Sequence, residues 1–379
     1  MTLTQISFPK AMSDESSLND LRIKIDATDK KLIELINQRA EYVVEVGKIK
    51  RAAGIPIYAP HREAAVLAKV QALNEGPIPD QTIEAVYREL MSGSFALEQP
   101  LRIGYLGPVG TFSHYASIRH FGSSVTFENL RAIDGVFEEV VRGHVDYGLV
   151  PIENSTGGGI TETLDAFLTY HNKLFIYGEV QLNVHFSLLA NCKPNEVKKI
   201  YSKQEAFAQC RNWLATQYPK AEQIPSKSTA AALQHAKQDT ERDPDCGTAA
   251  IASALAGEIY GLHSLFDGIE DRQGNITRFL ILSREEAEIS GNDKTSIMFT
   301  TDDRPGSLVD VLNVFKRAGI NLSHIDKRPS LEVNWDYTFF VDAIGHGKDP
   351  KFAEVVGEAR AHCKELTVLG SFPCSKRTL

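Results

Sequence analysis

The sequence has no apolar run approaching the length of a membrane span, and its N-terminus carries no charged-then-apolar leader pattern. A protein of the cytoplasm, off the membrane, is therefore expected. Its five cysteines (Cys192, Cys210, Cys246, Cys363 and Cys374) are scattered and form no C-x-x-C pair. That excludes a zinc site of the usual spacing and suits reduced thiols better than a disulfide framework. The eleven histidines include no H-E-x-x-H spacing, so no metal is expected. No excess of positive charge exists either. With 41 Lys and Arg against 49 Asp and Glu, the net charge is −8, which speaks against nucleic acid or an acidic membrane as partner. No fixed-period repeat and no low-complexity tract interrupts the chain.

What is present reads as plain globular text, 42% hydrophobic and 24% charged over 379 residues, enough for two or three domains. Residues 1–17 are Ser-rich and unpatterned and read as a flexible tail. The stretch 18–99 is helical in period, 100–285 alternates strands with helices and Gly-rich turns, and a polar joint (283–294) leads to a third text. There the order is strand 296–300, helix 308–318, strand 320–326, strand 335–343, helix 352–363, strand 367–372. This is the ferredoxin-like split βαβ order, assigned to 294–379.

The first helix is expected from Leu18 to about Ala53. Leu18, Leu21, Ile25, Leu32, Leu35/Ile36, Val43 and Val46 recur at three- and four-residue steps. Arg39 falls in that seam where a Leu belongs, and Lys50 lies three turns further, about 16 Å along the same face. A helix so long needs partners, either by breaking into two shorter helices or by pairing with another chain. The third helix repeats the anomaly, with Ser94 and Glu98 on the seam of Ile83, Tyr87 and Leu90. A lone seam Arg can snorkel, but cations gathered on apolar faces are costly without anions, so a bound anion is the simpler reading.

The run Leu21-Arg22, Asp29, Gln38-Arg39, Glu45-Val46-Gly47-Lys48-Ile49-Lys50, Arg62-Glu63 resembles the all-helical chorismate mutases across the whole stretch. The resemblance implies an intertwined homodimer. In it Arg39, Lys50 and Arg62 would hold the two carboxylates of chorismate, with Arg22 arriving from the other chain. Glu63 would take the substrate hydroxyl, and Ser94 would assist. The rearrangement to prephenate is pericyclic and needs only a held conformer and charge stabilisation at the breaking ether oxygen. Two positions depart from the family. Ala59 stands where some members have Asp, and Glu98 where some have Gln.

In the middle text, strand 101–105 runs into Gly107-Pro108-Val109-Gly110-Thr111-Phe112-Ser113-His114 and a helix. A Gly-rich turn feeding a helix N-terminus can bind an anion, or it is a tight turn capped by Thr111 or Ser113. The spacing is not G-x-G-x-x-G, so no dinucleotide and no other cofactor is expected. A second turn is Pro151-Ile152-Glu153-Asn154-Ser155-Thr156-Gly157-Gly158-Gly159, and a third cluster is Asn275-Ile276-Thr277-Arg278-Phe279. In this order they resemble prephenate dehydratase. That implies two lobes like a type-2 periplasmic binding protein, about 100–178 with 262–285, and about 179–261. Thr277 would act as donor on the leaving hydroxyl. Thr111, Ser113, Glu153, Asn154, Ser155, Ser202, Gln209, Arg278 and Phe279 would contact prephenate, with Arg278 alternatively pairing an acid behind the site.

The third text, with Arg304-Pro305-Gly306-Ser307-Leu308-Val309, Asn321-Leu322 and Asp326-Lys327-Arg328-Pro329, resembles an ACT domain. The resemblance implies phenylalanine as effector, contacting Gly306, Ser307, Leu308, Val309, Asn321, Leu322, Arg328 and Pro329. Ser307 and Asp326-Lys327 depart from the family's Gly-Ala-Leu-Val and Glu-Ser-Arg-Pro. The expected whole is a multidomain chain: all-α, then two-lobed α/β, then α+β. It would turn chorismate into prephenate and then phenylpyruvate under phenylalanine control, as a homodimer or a tetramer. A sensor without catalysis, or a chain retaining one of the two activities, are the competing readings.

Glu98 yields a test. Ionised, it repels the developing ether oxygen; protonated, it donates to it. Chorismate rearrangement is expected to slow as pH rises through the range in which Glu98 ionises, and Glu98→Gln is expected to flatten that pH–rate profile. An unchanged profile in the variant would sink this role.

Overall fold

The computed structural model describes residues 11–329, 337–375 and 378–379. The described residues divide into two compact units, one of 11–57 with 94–99, the other of 58–93 with those described from 100 onward. The first unit is dominated by α1 (Ala11–Ala53), one unbroken helix of 43 residues. It begins seven residues inside the stretch read as a flexible tail. Once a helix is nucleated each added residue costs little. Of the two ways to satisfy so long a seam, breaking the helix is thus not the one taken. Leu21, Ile25, Leu32 and Leu35 stay more than half exposed, at 55%, 57%, 52% and 62%.

In the second unit α2 (Pro60–Ala72) follows Ala59, an N-cap with no side-chain hydrogen bond, and α3 (Asp80–Glu98) runs on into the first unit. The helical stretch 18–99 is therefore not one body, because residues 58–93 pack with the α/β part of the chain.

The α/β part then runs β1 (Arg102–Leu106), α4 (Phe112–Phe121), β2 (Thr126–Leu130), α5 (Ile133–Arg142), β3 (Tyr147–Asn154), β4 (Gly158–Gly159), α6 (Thr161–Tyr170) and β5 (Phe175–Asn183). It continues with β6 (Ser187–Ala190), β7 (Lys199–Ser202), α7 (Gln204–Gln209), α8 (Arg211–Gln217), β8 (Glu222–Pro225), α9 (Thr229–Arg242), β9 (Thr248–Ala252), α10 (Ala254–Tyr260), β10 (His263–Asp267) and β11 (Ile276–Ser283). Two sheets result, in the orders β2-β1-β3-β11-β5 and β10-β6-β9-β7-β8. The centre of the first sheet is buried on both faces, which is why Tyr147–Ile152 and Phe279–Leu282 read as continuous apolar runs.

The lobe boundaries need correcting. β5 continues in the first sheet to Asn183, and β10 pairs with β6 in the second sheet rather than returning to the first lobe. The chain crosses back only after Asp267, and the partly polar strand at 263–267 carried no sequence signal for its partner.

The last part comprises β12 (Asp293–Thr300), α11 (Ser307–Ala318), β13 (Leu322–Pro329), β14 (Tyr337–Ile344), α12 (Pro350–Arg360) and β15 (Glu365–Pro373). Its antiparallel sheet runs β13-β14-β12-β15, the order expected of a split βαβ fold. The third strand, expected from residue 335, is described from Tyr337, and residues 335–336 lie outside the described residues. One face of this sheet packs under α11 and α12 through Ile297, Phe299, Val341 and Ala343. The other contributes Met298, Phe340, Leu369 and Phe372 to a core shared with Val150, Ile152, Leu280 and Leu282 of the first lobe.

β15 lies directly on β5. A Cβ on Gly370, whose φ is +153°, would collide with the backbone oxygen of Ile176. Gly370→Ala is therefore expected to destabilise the second unit by about 1–3 kcal/mol, read as a lower urea midpoint. An unchanged midpoint would mean the two sheets can separate locally at no cost.

Candidate functional site

In the first unit the polar seam residues do converge. Arg39 Nη1 donates to Ser94 Oγ at 2.9 Å, Lys50 Nζ donates to the Ile57 carbonyl at 2.9 Å, and Arg51 donates to the Glu98 carbonyl. Lys50 Nζ also lies 3.0 Å from Glu98 Oε2, and Ser94 and Glu98 are buried. Gly47 lets the helices approach, since a Cβ there would press on Glu98 at 3.0–3.2 Å. The seam cations are thus not without an anion, as argued from sequence, because Glu98 is the resident counter-charge of Lys50. Arg22 is exposed on α1.

Arg62 and Glu63 belong to the second unit. Arg62 is exposed and Glu63 is not. Glu63 Oε2 is 3.9 Å from His120 Nε2, which is 2.8 Å from the Tyr58 hydroxyl. The Tyr58 carbonyl in turn accepts from Tyr147 and Tyr177 at 3.3 and 3.0 Å. Burial pushes the Glu63 carboxyl up to about 7, against the opposing charge of Arg88 and a hydrogen bond from Tyr58. Burial, aided by Arg88, pushes the His120 imidazole down to about 3.

The geometry around Thr277 is a closed circuit of side chains. The backbone N–H groups of Thr156 and Gly157 donate to Asn154 Oδ1, both at 3.0 Å. Since amides only donate, the orientation of Asn154 is fixed. Its Nδ2 then donates to Asn275 Oδ1 at 2.7 Å and to Thr277 Oγ1 at 2.8 Å. Asn275 Nδ2 donates to Gln209 Oε1 at 2.7 Å, Gln209 Nε2 to Thr156 Oγ1 at 3.2 Å, and Thr156 Oγ1 back to Asn154 Oδ1 at 2.6 Å. Every bond runs the same way round. Thr277 hangs off the ring as an acceptor, which leaves its own proton uncommitted among the described residues. Gln209 comes from the second lobe, so the ring also ties the lobes together. Ser155 closes the turn, accepting from Ile276 N at 2.9 Å and donating to the Gly274 carbonyl at 3.2 Å.

The other expected contacts divide. Thr111 caps α4, accepting from His114 N and donating to the Leu106 carbonyl, and Ser113 is buried beside it. His114 Nδ1 accepts from Gly110 N at 3.2 Å. Burial lowers that imidazole from its ordinary value, so it is neutral and its other nitrogen carries the proton. Tyr260 spans from α10 to donate to the Val109 carbonyl at 2.9 Å. Ser202 is spent on the Ile251 carbonyl, and Phe279 is 1% exposed.

Arg278 and Glu153 are not brought together with Thr277. They form the adjacent rung of β11 and β3, Thr277 facing Asn154 and Arg278 facing Glu153 in register, and successive residues on a strand point to opposite faces. Arg278 pairs with Glu179 at 2.7 Å and Asp342 at 2.6 Å, which is the acid-behind-the-site alternative. Sequence reasoning missed Thr156 and Asn275 as members of the site. The period of two was the available signal for Asn275, which shares the face of Thr277.

In the last part Gly306, Ser307, Leu308 and Val309 line a recess of about 190 Å³ with Tyr337 and Phe339. The Ser307 hydroxyl is buried there with no hydrogen-bond partner among the described residues. Asn321 and Leu322 start β13 away from this lining, Pro329 pairs in register with Tyr337, and Arg328 spends two nitrogens on Asp165 at 2.7 and 2.8 Å.

Family models match three consecutive stretches: chorismate mutase type II over residues 21–99, prephenate dehydratase over 103–287, and the ACT domain over 295–360. A bifunctional chorismate mutase/prephenate dehydratase of Stutzerimonas stutzeri is 42% identical, covering 96% of this chain and 99% of its own. The protein of the same description from Aquifex aeolicus is 38% identical, over 94% and 98%. Among solved structures, a prephenate dehydratase of Arthrobacter aurescens in complex with L-Phe matches with a TM-score of 0.66 at 33% identity, covering 74% of this chain and 92% of that one.

The buried pair yields a prediction about stability. Between pH 6.5 and about 3 the unfolded chain holds a proton on His120 that the folded chain does not, so this group's contribution falls as pH falls. Glu63 acts oppositely, because between 4.5 and about 7 the folded chain keeps a proton that the unfolded chain has lost. His120→Gln is expected to gain on the parent in urea midpoint as pH drops from 6.5 towards about 5. A difference independent of pH would contradict the buried, neutral imidazole.

Proposed function

The chain belongs to the bifunctional chorismate mutase/prephenate dehydratases, and from that premise we propose how its residues carry the two reactions and their control. It is an enzyme with a chorismate mutase and a prephenate dehydratase domain followed by an ACT domain. The domain limits we propose are 18–99, 100–285 and 294–379. In the mutase, Arg39 and Lys50 hold the carboxylates of chorismate, Ser94 supports Arg39, and Glu98 faces the ether oxygen. Arg62 and Glu63 contribute a carboxylate contact and a hydroxyl contact. A second copy of the chain covers the exposed seam of α1 and lends its Arg22. The apolar side chains left open on α1 support a homodimer, since a stripe of that length is an interface.

The dehydratase reading rests on the ring that orients Thr277. Prephenate loses its ring carboxylate as CO2, the electrons of the breaking C–C bond enter the ring, and the ring hydroxyl departs as water with a proton. Aromatisation drives the step. Thr277 donates its free proton in a hydrogen bond to the leaving oxygen, and Asn154, by donating to Thr277 Oγ1, aims that proton. Thr111, Ser113, Ser155 and Gln209 shape the rest of the site. Phenylalanine occupies the recess at Gly306–Val309 as a feedback effector, where the buried Ser307 hydroxyl has a hydrogen bond to give. The five free thiols and the lack, among the described residues, of a helix long and apolar enough to cross a membrane support a cytoplasmic setting.

Thr277→Ala is expected to lower prephenate turnover by about 100- to 1,000-fold, while chorismate rearrangement in the same protein is kept. Feeding purified protein chorismate and following prephenate and phenylpyruvate reads both activities at once. Full dehydratase turnover in the variant would refute the assignment.

A further inference from the structure

We propose that Asp342, in the ACT domain, is a positioning residue for the dehydratase reaction, acting through Arg278 on the strand rung beside Thr277 and Asn154. The inference rests on the reading of Thr277 given above. Arg278 is 9% exposed and stands one residue from Thr277 on β11, with Glu153 opposite it as Asn154 is opposite Thr277. Its guanidinium has Glu179 of the same lobe at 2.7 Å and Asp342 of β14 at 2.6 Å, with Glu153 at 3.9 Å.

Glu179 cannot serve Arg278 alone. Lys294 shares its Oε2 at 3.1 Å, and its Oε1 accepts from Ser375 N at 2.8 Å. The buried Arg278 and the partly buried Lys294 therefore face two close carboxylates, Glu179 and Asp342. Asp342 is itself held in place by a hydrogen bond from Ser296. Without Asp342 the next carboxylate within reach of Arg278 is Glu153, at 3.9 Å. Turning towards it pulls on the rung next to Asn154 and Thr277, whose hydrogen bond depends on that register.

A second contact supports the same turn from the same domain. Alternate residues of β13 face the dehydratase lobe. His324 Nδ1 lies 3.4 Å from Glu153 Oε2, Asp326 sits against Gly159 where a Cβ would collide with it, and Arg328 grips Asp165. The β3–β4 hairpin that carries Asn154, and α6 after it, are thus braced from the ACT sheet. A sensor domain placed in this way is part of what sets the site.

The test uses the full chain, with its mutase activity as an internal measure of folding. Asp342→Asn is expected to lower dehydratase kcat by about 10- to 100-fold with a smaller change in KM, mutase rates held, and Asp342→Glu restoring most of the loss. Parental dehydratase kinetics in Asp342→Asn would overturn the proposal. So would a loss of kcat that Asp342→Glu does not relieve and that comes with a matching fall in mutase activity. Should Asp342→Asn not fold, His324→Ala removes the weaker brace without unbalancing buried charge. It is then expected to lower kcat at unchanged urea midpoint, and an unchanged kcat would count against positioning. Inactive Thr277→Ala beside a parental Asp342→Asn refutes the positioning role alone, whereas an active Thr277→Ala refutes the reading beneath it.

Discussion

A guanidinium removed from water is tolerable only while carboxylates surround it, and the second unit is organised around one such group. Burial works against the charge of Arg278, and Asp342 and then Glu179 more than offset it. These two acids come from different modules, so the pairing that makes the buried cation acceptable also fixes the ACT sheet against the first lobe. The shared apolar core of Val150, Leu280, Met298 and Phe372 supplies area without direction, whereas the charge cluster supplies register. Replacing such a cluster by apolar residues often costs little stability. Its presence one residue from Thr277 therefore makes more sense as a device for specificity of position than as a source of stability.

The other face of the same rung solves a different problem. A Thr hydroxyl is a weak acid, and in a polar cleft its proton has many alternative acceptors. The ring through Asn154, Asn275, Gln209 and Thr156 removes that freedom because its direction is set at one point, by two backbone amides that can only donate. Each amide after that has one way to lie. Since Gln209 belongs to the second lobe, the ring is complete only when the lobes are together. Thr277 itself is held within the first lobe, by the Asn154 amide that those two backbone groups orient.

Much of this was legible in the sequence, and the failures have a common cause. The seam of α1, the order of the last sheet and the clusters around Asn154 and Thr277 are local patterns, set by periods of 3.6 and 2. What was misplaced depended on pairing between distant segments. The strand 263–267 has no local mark that it joins β6. Arg278 and Glu153 belong to the same dehydratase motifs as Thr277 and Asn154, although adjacency on a strand means opposite faces. Asp342 carries no motif at all; only the fold brings it to Arg278. Lys50 and Glu98 are 48 positions apart, and their pairing likewise waits on how α1 and the end of α3 meet.

That last pairing changes how the mutase seam should be understood. A bound dianion was invoked to explain cations on an apolar face, yet Lys50 already has Glu98 beside it at 3.0 Å, while Arg39 donates to the neutral Ser94. On the proposed reading, chorismate competes with Glu98 for Lys50 but meets Arg39 without a rival carboxylate among the described residues. The same helix leaves Leu21, Ile25, Leu32 and Leu35 open to water, and an isolated helix of this kind gains little stability on its own. If a second copy covers that stripe, helix stability and the placement of Arg39 both depend on association. Both then follow mass action, so dilution weakens the mutase while the dehydratase ring, built within one chain, is indifferent to it.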